Sequence, residues 1–149
     1  MRIGCGFDHA GLPLRDVVMT ALGRVGHESV DLGCEDDYPD VALRVGRALA
    51  SGELARGLLV CGSGAGVAVA ACKLAGVRAA VAHDHYTASQ CVTHDDCNVL
   101  CLGARVVGPA VAAELVVAFA QASFDGETRH ARRLEKLKEL ERSGLEADL

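Results

Sequence analysis

The chain has 149 residues, half of them hydrophobic, with 23% charged residues and a formal net charge of −5 at pH 7. That length suits a single domain over residues 1–149, large enough to fold without disulfides or metal, and the acidic balance argues against a nucleic-acid-binding domain held by phosphate contacts. Aromatic residues make up only 3% with no Trp, which leaves almost no base- or sugar-stacking platform, and no stretch reaches the ~18 uncharged apolar residues of a membrane span.

The N-terminal stretch Met1 to Asp8 carries no signal-peptide core before its first acid. Cytoplasmic residence is therefore expected, with the seven cysteines as reduced thiols. Residues 2–7 are predicted as a strand, followed by a helix over 11–24 with Pro13 near its start. A second strand follows over 27–32, then a helix over 40–54 behind Pro39, and a third strand over 57–61. A helix over 65–75, a strand over 77–82, a helix over 85–94 and a strand over 98–102 continue the alternation. Each strand is a short apolar run of the kind buried on both faces of a sheet. Proline is tolerated in a first helical turn, where its missing N–H has no partner to lose. Gly26, Gly57 and Gly76 are expected to reverse the chain after helices. The β-α-β-α order implies a parallel sheet with helices on both faces. A helix over 109–122 comes next, and a strongly charged one over 127–142, with Leu134, Leu137 and Leu140 on one stripe. The last residues, 143–149, are expected to fray.

In an open parallel sheet, ligands bind beyond the carboxyl ends of the strands. Five segments follow predicted strands: Asp8 to Gly11, Asp31 to Asp40, Cys61 to Gly66, His83 to His85, and Gly103 to Arg105. In the third, Gly62, Gly64 and Gly66 open a helix and expose several backbone N–H groups, an oxyanion or phosphate cradle more readily than a plain turn. The dinucleotide pattern Gly-x-Gly-x-x-Gly fails, because Val67 and His9 stand where the third glycine belongs, although Asp31 imitates a ribose-binding acid. Cys61 ends a strand at a helix N-terminus, a setting that favours a thiolate. It reads equally as a nucleophile or base and as a small core residue. Cys5, Cys97 and Cys101 read as inert buried thiols. A Cys-x5-Arg string from Cys72 to Arg78 does not follow a strand and is taken as chance.

Asp8-His9 is an acid and a base at a strand end, and capping alone would also explain the Asp. His94 closes a helix, where a dipole partner is the ordinary role. His83, His85, Cys91, His94 and Cys97 match no zinc spacing, so no metal is expected. In Arg129-His130-Ala131-Arg132-Arg133, Arg129 and Arg133 stand at i, i+4 on one helical face, as a phosphate clamp requires.

Together these segments resemble the ribose-5-phosphate isomerase B family, which includes the LacA/LacB galactose-6-phosphate isomerase subunits. The resemblance runs from residue 1 to about 140. It rests on Gly6 to Gly11, Asp37 to Asp40, Cys61 to Gly66, Asn98 to Gly108, and Arg129 to Arg133, five motifs in order. It implies a doubly wound, three-layer α/β/α domain with a five-stranded parallel, Rossmann-like sheet. It also implies homodimers or tetramers with active sites shared between chains, no cofactor, and metal-independent aldose–ketose isomerisation of a sugar phosphate through a cis-enediolate. The expected partner is the small sugar phosphate, with no nucleic acid and no membrane.

Carried over residue by residue, the resemblance makes Cys61 the thiol base, since Val67 stands where other members carry a glutamate base. It makes Ser63, with the N–H groups of Gly62, Gly64 and Gly66, the stabiliser of the enediolate oxygen. It makes His94 the ring-opening histidine, with Asp8 assisting. His9, Arg105, Arg129 and Arg133 are implied phosphate binders, and Tyr38 lines the sugar pocket. Three positions depart from the pattern. Asp95 stands where Asn is usual and cannot donate as an amide does. Cys72 replaces a usual Asn, and Phe7 replaces a small residue and is expected to shorten the pocket. Ribose 5-phosphate is the expected substrate. The alternatives are a tetrulose 4-phosphate, a hexose 6-phosphate, or a non-catalytic sugar-phosphate-binding subunit.

Overall fold

The computed structural model describes residues 1–149. Five strands, β1 (Arg2–Asp8), β2 (Glu28–Glu35), β3 (Arg56–Cys61), β4 (Ala79–Val81) and β5 (Val99–Gly103), form one all-parallel sheet in the order β2-β1-β3-β5-β4. Helices α1 (Arg15–Arg24), α2 (Tyr38–Ala50), α3 (Ala65–Ala71), α4 (His85–Asp95) and α5 (Pro109–Gln121) make the crossovers, and α6 (Thr128–Ser143) follows. Helix α2 packs beside α3, while α1 and α4 flank α5. This division follows from right-handed crossovers: the chain moves outward from β1 to β2 on one face and returns to β3 on the other. The expected doubly wound α/β/α architecture is the observed one.

The strands β3 and β5 alternate their side chains between two cores. Leu58, Val60, Leu100 and Leu102 join Ile3, Phe7 and Phe119 beneath α1, α4 and α5. Leu59, Cys61, Val99 and Cys101 join Val41, Val45 and Val67 beneath α2 and α3. With three Phe in the whole chain, both cores are aliphatic. Cys5 and Cys101 are fully buried and Cys97 nearly so. Burial pushes the Cys5 thiol up to about 12 and raises that of Cys101, while the Cys97 thiol is raised first by its interaction with the Cys91 thiol and then by burial. All seven cysteines are free thiols.

The departures from the sequence expectations have physical causes. β2 and β4 are the two edge strands, and both are only partly buried, so apolar patterning misplaced their bounds. Gly57 lies inside β3, and the reversal after α2 falls instead at Gly52. Pro13 opens a short 3-10 turn, Leu12–Leu14, before α1 begins. Helix α3 stops at Ala71, and a further 3-10 turn forms over Gly144–Glu146, within the stretch expected to fray. On α6 the apolar stripe is mostly open: Leu134 is buried, while Leu137 and Leu140 stand more than 40% exposed. His130, which the sequence grouped with the basic cluster, is 1% exposed and faces inward with Leu134. Phe7 is fully buried in the core, so it does not shorten a pocket. No helix is long and apolar enough to cross a membrane.

Candidate active site

From β1 the chain leaves first to β2 and later, by way of β3, to the other side of the sheet. The carboxyl ends of β1 and β3 therefore flank a crevice at the switch point. The turn after β1 is held by Asp8, whose Oδ1 accepts hydrogen bonds from the N–H groups of Ala10 (2.9 Å) and Gly11 (2.8 Å). Gly11 presses against β3 so closely that a Cβ there would lie 2.1 Å from the Val60 carbonyl oxygen. His9, exposed, reaches the Asp36 carbonyl with Nδ1 at 3.3 Å. Asp31, the imitation ribose acid, is instead paired with Arg15.

Cys61 ends β3 and is 4% exposed. Its Sγ accepts the N–H of Gly64 at 3.1 Å. Gly64 adopts φ 81°, a left-handed conformation that aims its amide back at the sulfur as α3 begins. Ser63 is exposed beside it, and its Oγ accepts the Ala65 N–H at 3.3 Å. The loop is pinned from β5, where the amides of Ala104 and Arg105 donate to the carbonyls of Cys61 (2.8 Å) and Gly62 (3.0 Å). Arg105 lies against Gly62, and the Tyr38 ring covers Gly66. His83, which the sequence reading left without a role, joins this rim by accepting the Gly103 N–H at Nε2 (3.2 Å). This half of the candidate site thus gathers Asp8, His9, Tyr38, Cys61, Gly62, Ser63, Gly64, Gly66 and Arg105.

The remaining predicted residues gather elsewhere. Helix α4 starts past the carboxyl end of β4 and runs back, so His94 and Asp95 lie at the opposite, amino edge of the sheet. That edge is marked by the Gly57 N–H, which bonds the Asn98 carbonyl (2.8 Å) where β3 begins. At about 3.3 Å of rise per residue, the two edges stand ~15–20 Å apart. Asp8 therefore does not lie beside His94 within one chain. The Asp125 N–H donates to the Thr93 carbonyl (3.0 Å), bringing the start of α6 to the end of α4. Arg129 and Arg133 are both exposed there, one turn apart, with Arg129 Nε 2.9 Å from Glu127. Asp95 borders a groove of about 790 Å³ that Cys72 and Leu137 also line, so Cys72 sits away from the glycine loop.

Three residues of this second half escaped the sequence reading. The His130 Nδ1 lies 2.9 and 2.8 Å from the two Asp125 oxygens, and that bond holds the Asp125 carboxyl below its ordinary range. The His94 and His130 rings stack at 4.1 Å between centroids. Gln90 Nε2 lies 2.8 Å from His94 Nδ1, an i, i+4 spacing visible in the sequence. His94, Asp125 and His130 are close enough to suggest a metal cluster, but face-to-face imidazoles do not aim their in-plane lone pairs at a common ion. The five residues weighed as metal ligands do not gather either: His85 pairs with Glu114 (3.1 Å), and Cys91 and Cys97 are buried.

Fold and site together define a doubly wound α/β protein with a glycine loop and a buried thiol at its switch point and two exposed arginines, one turn apart, at the far edge. The ribose/galactose isomerase family profile matches residues 3–137. Ribose-5-phosphate isomerase B of Escherichia coli is 39% identical over 144 residues, covering 94% of this chain and 96% of its own. D-erythrulose-4-phosphate isomerase 2 of Mycolicibacterium smegmatis is 38% identical over 141 residues, covering 90% and 93%. The solved type B ribose 5-phosphate isomerase of Trypanosoma brucei superposes with a TM-score of 0.88 at 45% identity, over 92% of this chain and 96% of that one. The chain belongs to the ribose/galactose isomerase family and is an aldose–ketose isomerase of the ribose-5-phosphate isomerase B type.

Proposed function

We propose that the protein interconverts ribose 5-phosphate and ribulose 5-phosphate, with Cys61 as the base. The observation that carries this reading is the Cys61 sulfur at the switch-point crevice, with the Gly64 amide donating to it and Ser63 beside it. His94 assists opening of the furanose. The Cys61 thiolate then takes the proton from C2, the C1 carbonyl becomes the enediolate oxygen, and Ser63 and the glycine-loop amides stabilise its charge. Return of that proton to C1, as the O2 hydroxyl passes its own proton to O1 and O2 becomes the carbonyl, leaves the ketose. His9, Arg105, Arg129 and Arg133 hold the phosphate, and Tyr38 bounds the sugar.

This mechanism needs both half-sites, and one chain carries them on opposite edges of its sheet. We infer a two-fold homodimer in which the His94–Arg133 half of one protomer completes the Cys61 half of its partner. A two-fold interface pairs two unlike patches reciprocally, so two complete sites arise at once. The seven free thiols suit a reducing, cytoplasmic setting.

A tetrose 4-phosphate is the second reading, favoured by Asp95 in a position that is usually Asn and by the relative named for D-erythrulose 4-phosphate. Assaying aldose–ketose exchange on four-, five- and six-carbon sugar phosphates decides between them. The highest kcat/KM is expected on ribose 5-phosphate. A tetrose 4-phosphate turned over with higher kcat/KM establishes the second reading, and exchange on none of them overturns both.

A further inference from the structure

His94 is held on two sides. The Gln90 side-chain amide nitrogen lies 2.8 Å from His94 Nδ1; an amide N–H can only donate, so in this pairing Nδ1 accepts and Nε2 is the ring edge left for another partner. One face of the ring lies on His130, 4.1 Å between centroids and 26° from parallel. His130 cannot drift, because it is 1% exposed and bonded through Nδ1 to both Asp125 oxygens. Asp125 is anchored in turn by its own N–H on the Thr93 carbonyl, one residue before His94. A buried, hydrogen-bonded imidazole costs more to desolvate than an apolar side chain of similar size. Leu or Phe at position 130 would fill that space without the cost. The sequence spends a His–Asp pair where an apolar residue would serve packing alone.

We infer that Gln90, His130 and Asp125 are positioning residues for His94: Gln90 turns the protonated Nε2 edge outward, and the Asp125–His130 pair fixes the plane of the ring. This rests on the reading of His94 as the ring-opening residue. Opening breaks the C1–O4 bond as the O1–H bond gives up its proton and C1=O1 forms, and O4 takes up a proton in exchange; charge builds on O4 on the way, so a fixed hydrogen-bond donor there lowers the barrier, and fixing is what electrostatic stabilisation requires. A donor misplaced by about 1 Å through a distant change costs up to ~10² in rate.

Substrate chemistry supplies the test. Ribose 5-phosphate is mostly cyclic, whereas a tetrose 4-phosphate carries its phosphate on the oxygen that would close the furanose and stays open-chain. Damage to ring opening therefore strikes the pentose selectively, while general structural damage strikes both sugars. Turnover of D-ribose 5-phosphate and D-erythrose 4-phosphate is measured for the full chain and for His94→Ala, Gln90→Leu, Asp125→Ala, His130→Ala and His130→Phe. Gln90→Leu and Asp125→Ala, both at positions that are not fully buried, are expected to lower kcat on the pentose by ~10- to 10²-fold with little change in KM, and to lower tetrose turnover at least tenfold less. His130→Phe keeps a flat face under His94 but loses the bond to Asp125, and it is expected to show the same pentose-selective loss as Asp125→Ala. If His94→Ala shows no pentose selectivity, the ring-opening reading fails and the inference with it. If His94→Ala is selective while Gln90→Leu and Asp125→Ala match the parent, or lower both sugars equally, the inference alone is overturned.

Discussion

The two half-sites are built by different means. The Cys61 half is made largely of backbone: the Asp8 turn, the glycine loop and the β5 turn are joined by amide hydrogen bonds and by close approaches that leave no room for a Cβ. The His94 half is made of side chains on two helix ends, joined by a ring stack, a carboxylate–imidazole bond and an amide–imidazole bond. Donors that must meet a charge as it develops gain from rigidity. In the proposed dimer the second half reaches into another protomer's site, which calls for long, exposed side chains such as Arg129 and Arg133. Substitutions should consequently act on proton transfer in the first half, and on ring opening and the phosphate clamp in the second.

The largest expected effect is at Cys61. Cys61→Ala should cost at least ~10²–10⁴ in kcat, the usual range for a lost general base, with the circular dichroism spectrum and substrate binding retained. Turnover near that of the parent would remove Cys61 from the mechanism.

The backbone construction is tested next at Gly103, where a Cβ would lie 2.6 Å from the Ser63 carbonyl carbon. Gly103→Ala must displace the glycine loop, and overpacking of this kind costs ~1–3 kcal/mol in stability. Denaturant unfolding should show that loss together with reduced kcat. A variant with unchanged stability and activity would show the loop to be more compliant than its packing indicates.

In the second half, Arg129→Ala or Arg133→Ala should raise KM by roughly tenfold or more and lower kcat much less, because phosphate binding is shared by ground and transition states. Unphosphorylated ribose should be a very poor substrate. Equal activity on ribose and its 5-phosphate would dissolve the clamp.

The smallest effect is expected at Asp95, half-buried at the edge of the groove. If the native substrate is ribose 5-phosphate, Asp95→Asn should change kcat/KM only modestly. If it is another sugar, the amide should shift preference toward ribose 5-phosphate by replacing a repelling acceptor with a donor. An identical ranking with identical values would take Asp95 out of the pocket.

The first half was legible in the sequence because its signals are local. A glycine-rich turn after an apolar run marks both the strand end and the helix start, and the β1, β3 and β5 runs are apolar because both their faces are covered. β2 and β4 were harder to bound, since edge strands are half-exposed and lose that pattern. The second half was harder still. His130 looked like one more base on a charged helix, and only the packing of α6 on α4 turns it inward onto His94. Asp125 lies between two helices, where no periodicity marks it. Phe7 failed as a pocket residue because the side chains of a strand alternate between faces, and its own points into the α1/α5 core.

That the two halves meet only between protomers can be measured directly by hybrid complementation. Cys61→Ala and His94→Ala variants, each inactive on ribose 5-phosphate, are mixed, dissociated in mild denaturant and reassociated. Random pairing makes half of the dimers mixed, and each mixed dimer holds one intact site and one doubly damaged site, so about a quarter of parent activity should return. Activity that stays at the level of the separate variants, although sedimentation shows mixed dimers, would contradict a site shared between two chains.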